Sequence, residues 1–163
     1  MLPQSTLVNL KRSFYSLFYD AVEVGKSKSG LVSYGDYLFN TEDKTEWIVV
    51  DVLDIGTALK GDSQTVQVTC VRRMISEDPQ NLGLDQLVDD VRDALNINEF
   101  TIYDYADVDA PVEIIETDSH GDPYTVTAAL RNTGPNPRQP TLDGVSSHVL
   151  NYSIYLWRED IIQ

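Results

Sequence analysis

The chain has 163 residues, 42% of them hydrophobic, which is enough for one domain with a sizeable core and makes two domains a strain. Its 26 acidic against 12 basic side chains leave a formal net charge of -14, which argues against tight binding of duplex DNA or of an anionic membrane. A single cysteine, Cys70, excludes an internal disulfide framework, and its place in an alternating run predicts a small buried hydrophobe.

The N-terminal stretch MLPQSTLVNLKRSF lacks the basic start and apolar block of a secretory signal, and no later apolar run reaches membrane-spanning length. The expectation is an intracellular protein, in which the Asn151-Tyr152-Ser153 sequon carries no meaning. Ser5 or Thr6 can cap a first helix that places Leu7, Leu10, Phe14, Leu17, Phe18 and Ala21 on one side and Asn9, Lys11, Arg12 and Ser16 on the other. From Val24 to Glu46 the pattern dissolves into a long loop that carries Tyr34, Tyr37 and Phe39.

Two β-branched runs follow, Trp47 to Ile55 and Val66 to Met74, and the Gly56 to Ser63 connector makes them a hairpin. Asp51 and Asp54 indicate that part of this long hairpin projects into solvent. In LDQLVDDVRDALNI, Leu84, Leu87, Val88, Val91, Ala94 and Leu95 recur at helical spacing against Asp85, Gln86, Asp89, Asp90, Arg92 and Asp93. That spacing predicts a second amphipathic helix from Leu84 to Ile97, with Asn81 as its N-cap. Beyond Asn98 the runs Phe100 to Tyr105, Val112 to Asp118 and Tyr124 to Leu130 read as strands, the last two joined by a Ser119-His120-Gly121-Asp122 turn. Arg131 to Gly144, with three prolines, reads as an exposed loop, and Ser147 to Trp157 as the final strand. The whole is a single α+β domain over residues 1–163: a mostly antiparallel or mixed sheet, two helices packed on it and a long projecting hairpin.

Chemistry-bearing motifs are weak. Gly25-Lys26-Ser27 ends like a phosphate loop, but Asp20 stands where a glycine is needed and a helix, not a strand, precedes it. Asp118, His120 and Asp122 could offer metal ligands, yet turn chemistry explains them. Asp104, Asp107, Asp109 and Glu113 lack the glycine and closing glutamate of a calcium loop, and read as a solvated acidic edge. His120 and His148 are the only histidines, neither accompanied by a nucleophile signature, and His148 reads as a partly buried strand residue. No catalytic, cofactor or metal residue is assigned, and the expectation is that the chain is not an enzyme.

The order of helix, loop, strand hairpin, Leu-x-x-Leu-Val-x-x-Val-x-x-Ala-Leu helix, strands and a Tyr/Ile-rich last strand resembles the tail terminator (tail completion) proteins of long-tailed bacteriophages. LDQLVDDVRDALNI and SSHVLNYSIYLW are its best local matches. The resemblance implies a structural virion protein of the tail and neck, assembled in the host cytoplasm. It implies a homohexameric ring that caps the tail tube and contacts both tube protein and a head-side connector or head-closure protein. In such a ring Tyr34, Tyr37 and Phe39, or Tyr152, Tyr155 and Trp157, would be interface anchors, although core packing accounts for each set equally well. Asp104, Asp107 and Asp109 would line the passage and keep DNA mobile. Another neck or head-completion protein, an acidic DNA mimic, and a small hydrolase using an aspartate with one of the histidines remain alternatives.

Overall fold

The computed structural model describes residues 6–28, 31–32, 45–53, 64–97, 99–107, 109–134, 138–142 and 144–156. Its elements in chain order begin with helix α1 (Thr6–Phe18), whose last turns widen into a π-helix over Tyr19–Val24, then β1 (Leu31–Val32), β2 (Glu46–Leu53) and β3 (Gln64–Arg73). Helix α2 (Leu82–Leu95) follows, then β4 (Phe100–Thr101), β5 (Tyr103–Asp104), β6 (Val112–Glu113), β7 (Ile115–Thr117) and β8 (Pro123–Thr125). The chain finishes with β9 (Thr127–Asn132), β10 (Arg138–Leu142) and β11 (Val145–Leu156). The α+β expectation holds, and the main sheet is mixed. Its strands run β1-β2-β3-β11-β9-β4 with β10 also on β11, and all pairs are antiparallel except β1 with β2.

Alternation along β2, β3 and β11 decides which face is core. Ile48, Val50, Val66, Val68, Cys70, Leu150, Tyr152 and Ile154 all point to the side covered by the helices. They meet Leu10, Phe14, Phe18 and Val22 of the first helix and the full predicted stripe of α2, every member of which is buried. Phe14 packs on Phe100 with ring centroids 4.8 Å apart, tying α1 to β4. Each buried large side chain of this kind contributes roughly 1.5–3 kcal/mol relative to exposure, so the shared core beneath two helices dominates the fold. On the other face Trp47, Val49 and Val71 form a small second cluster with Val145.

Four expectations require correction. Asn81 occupies the N-cap position of α2 but caps nothing with its side chain; the Asp78 carboxylate accepts the Leu82 and Gly83 N–H groups instead, at 2.9 and 2.8 Å. Asn81 is spent on Arg72, accepting from its guanidinium and donating to its carbonyl. Asp90, placed by periodicity on the polar face, is buried, as is Asn9 on α1. Arg131 to Gly144 is not a loop throughout, since β9 continues to Asn132 and β10 pairs with β11 across Pro140. A register shift between Gln139 and Leu142 accommodates the proline, whose missing N–H is tolerated at an irregular edge.

The hairpin pairing runs from Glu46↔Arg72 to Leu53↔Thr65, and Asp51 is exposed as expected. The Gly56 to Ser63 connector and Asp54 lie outside the described residues. Edges are closed by side chains of α1. Ser13 Oγ accepts the Tyr103 N–H and Asn9 Oδ1 accepts the Tyr105 N–H, both at 3.0 Å, while the Tyr15 hydroxyl accepts the Val50 N–H at 3.2 Å. This use of helix side chains as strand partners explains why Asn9 and Ser13 are buried.

Candidate functional site

Three features stand out on this frame, and the first is an ionic corner at the start of α2. Arg72 Nη1 lies 2.8 Å from both Asp78 Oδ2 and Asn81 Oδ1. Its Nε lies 3.3 Å from Glu46 Oε1, an ion pair whose angle falls short of a hydrogen bond. Glu46 also meets Lys28 at 3.6 Å, and Lys28 reaches Asp90 at 3.4 Å, whose other oxygen accepts from Gln86. Two cations thus hold three carboxylates, and four of the five side chains are at most 17% exposed. Asp78 is held below the usual carboxylate range, first by the Gly83 N–H, then by the Leu82 N–H, with the Arg72 guanidinium adding to both. A Cβ at Gly83 would meet the Arg72 guanidinium, which would have to shift from its carboxylates to make room. Among the described residues each of these five charges faces an opposite charge, an arrangement that ties the first helix's end, the hairpin and α2 together.

The second feature is a groove of about 730 Å³ between the outer face of α1 and the chain after β5, lined by Val8, Lys11, Arg12, Tyr15, Tyr105 and Pro111 among others. It is mostly apolar in its walls yet carries two cations. The Arg12 guanidinium sits 5.9 Å from the Tyr105 ring centroid, and the Tyr105 hydroxyl donates to the Arg12 carbonyl at 3.4 Å. The third feature is the outer ridge of α2, where Leu82, Asp85, Gln86, Asp89 and Asp93 are all exposed within one helical face. Beside it, a polar cleft of about 1000 Å³ is lined by Lys26, Asp89, Asp93, Leu130, Asn132 and Tyr152, among others.

The residues singled out from sequence are scattered over this frame. Tyr152 is buried in the core, so core packing accounts for it, and Tyr155 pairs with Ala129 in the sheet. Tyr34, Tyr37, Phe39 and Trp157 lie outside the described residues. Asp104 ends β5, and Asp107 and Asp109 lie on the connection that follows; Asp104 accepts the Ala106 N–H at 3.0 Å and Asp107 the Asp109 N–H at 3.1 Å, which is local turn chemistry. Asp118 likewise accepts the His120 and Asp122 N–H groups at 2.8 and 2.9 Å, with Gly121 at φ +84°, so turn formation explains that fragment. His148 stands directly across from Cys70 on the core-facing side of β11 and is half-buried. Burial pushes the Cys70 thiol up, which favours its protonated form. Gly25-Lys26-Ser27 follows a helix, the reverse of a phosphate loop, and a Cβ on Gly25 would stand 2.6 Å from the Ala21 carbonyl oxygen. Among the described residues no group of three or more His, Cys, Asp or Glu is arranged to hold a metal, and no helix is long and apolar enough to cross a membrane.

Sequence reasoning missed Lys28, Glu46, Arg72 and Asp78 as a unit, and it read Lys11 and Arg12 only as a solvated face. Val8, an apolar residue off the helix's apolar side and near those two cations in the sequence, was the available signal for the groove. No protein-family model matches the chain, and comparison with curated proteins returns no match.

Proposed function

We propose that the chain is a non-catalytic building block of a phage neck, a tail terminator whose copies form a ring that caps the tail tube and meets the head-side connector. The observation that carries this reading is the order of elements: an amphipathic helix, a long central hairpin, a second amphipathic helix and a long last strand, with both helices on one face of the sheet. That arrangement leaves the outer faces of α1 and α2 available to neighbours. The charge of -14 suits a conduit, because a negative wall repels phosphate and lets DNA slide. Asp104, Asp107 and Asp109 are the carboxylates assigned to that wall.

Light scattering with negative-stain imaging, on the protein alone and with tail-tube protein, tests the reading. A closed ring of about six copies, the stoichiometry that the resemblance implies, is the expected result, by analogy with closed cyclic homo-oligomers. A monomer under both conditions ends the proposal. Lysine at positions 104, 107 and 109 should leave rings intact but make them retain duplex DNA, with retention falling steeply as salt rises.

One observation favours a second reading, an acidic mimic of DNA. Asp85, Asp89 and Asp93 are exposed at four-residue spacing, which sets successive carboxylates roughly 6 Å apart along the helix. Selective capture of basic DNA-binding proteins by a monomer, lost on neutralising these three aspartates, would establish that reading in place of the first.

A further inference from the structure

We infer that neighbouring copies are joined by the acidic ridge of α2 from one copy seated on the basic, apolar groove of α1 in the next. The inference rests on the ring reading and names the surfaces that would make the ring.

The first argument is charge. Two copies that each carry a formal -14 repel on random encounter, so a stable contact must place one of the few basic surfaces against an acidic one. The groove of α1 is such a surface. Lys11 and Arg12 stand on its helix side; among the described residues Lys11 has a loose pair with Asp51 at 3.9 Å, and no carboxylate pairs with Arg12. Asp107 and Asp109 are exposed on the opposite connection, so an acidic visitor would lie toward the helix.

The second argument is shape and apolarity. Val8 is 47% exposed and joins Tyr15, Tyr105 and Pro111 in an unfilled apolar trough. Its walls are fixed from below: the Tyr15 hydroxyl is held on β2, and Tyr105 is held both by its hydroxyl on Arg12 and by its N–H on Asn9. The ridge of α2 carries the complementary parts in one line. Leu82, 59% exposed, is an apolar knob, and Asp85, Asp89 and Asp93 follow it on the same face. A knob in the trough excludes water from the adjoining ion pairs, which strengthens them relative to exposed ones.

The third argument is topology. No residue of α2 lines the groove, so ridge and groove are distinct surfaces of one chain. A contact between unlike surfaces is heterologous, and repeating it gives a ring where the rotation closes and an open filament where it does not; the ring reading requires the first.

The test is charge reversal with rescue. Lys11→Glu with Arg12→Glu makes a groove-reversed protein, and Asp85→Lys with Asp89→Lys a ridge-reversed one; circular dichroism confirms that each is folded. Arg12→Gln and Asp89→Asn serve as milder versions. Sedimentation of each reversed protein alone should show association weakened by roughly a hundredfold or more, since like charges then face one another. Mixing the two should restore assemblies in which they alternate, because each reversed groove then meets an oppositely charged ridge. Wild-type rings that persist unchanged in both reversed proteins would overturn this contact and leave the ring reading standing. Two folded monomers that fail to reassociate on mixing would also overturn it. A wild-type protein that is monomeric alone and with tail-tube protein would remove the ring reading itself, and this contact with it.

Discussion

Helix α2 lies in two unlike settings. Along its inner stripe, Leu84, Leu87, Val88, Val91, Ala94 and Leu95 rest on aliphatic side chains of the sheet, while around its first turns Asp78, Arg72, Glu46, Lys28 and Asp90 form a closed set of ion pairs. The stripe is stabilised by the removal of apolar area from water, a non-directional effect that tolerates small shifts. The corner depends on direction. Each charge there lost water on folding, and the geometry of its partners decides whether that loss is offset. One helix is thus seated by area on one side and oriented by hydrogen bonds at its start.

The largest expected effect breaks the apolar side. Val91 is fully buried, and Val91→Asp places a carboxylate there without a cation. A loss of several kcal/mol, roughly 3–5, is expected in a denaturant melt. A midpoint close to that of the wild type would mean that the stripe does not face the core.

Breaking the ionic side should cost somewhat less. Arg72→Met keeps most of the volume but leaves Glu46 and Asp78 without their shared cation, although Lys28 still faces Glu46 and the helix N–H groups still hold Asp78. A loss of about 3 kcal/mol, the lower end for a broken buried pair, is expected. A neutral or stabilising result would show that the desolvation of the charges outweighs their attraction here, and that orientation of α2 comes from packing alone.

The smallest effect sharpens the comparison through pH. Asp78 is held below its ordinary value in the folded chain, so it binds a proton less readily there than in the unfolded chain. Its stabilising contribution is therefore present above the unfolded value, near about 4, and is lost as pH falls through the lower folded value. Asp78→Asn should lower stability near neutrality and flatten the acid limb by a like amount, so that the two profiles converge at low pH. An acid limb identical to that of the wild type would place the titration elsewhere among the many carboxylates.

The same contrast explains what was legible in advance. Periodicity of 3.6 in α2 named its buried stripe and the alternation around Cys70 in β3 named that residue as buried, because apolar burial follows from repeating geometry along one element. The Asp118 turn was legible for the same local reason, its carboxylate accepting N–H groups only a few residues away. Asp90 and Asn9 were misassigned because a polar residue at a surface-facing helical position is buried only when a distant partner arrives, Lys28 for one and the Tyr105 N–H for the other. The strand at Arg138–Leu142 was hidden by its proline, since an irregular edge pairing leaves no alternation to read.

For this protein, then, the sequence by itself determined the fold class, the two amphipathic helices, the central strands and the acidic balance, all of which are sums or repeats over neighbouring residues. Tertiary structure alone decided the pairing of Lys28 and Arg72 with three carboxylates and the gathering of Val8, Lys11 and Arg12 with Tyr105 into one groove. Those depend on contacts between residues up to about a hundred positions apart, such as Asn9 with Tyr105, and the energy of such a contact exists only once the chain between them has folded.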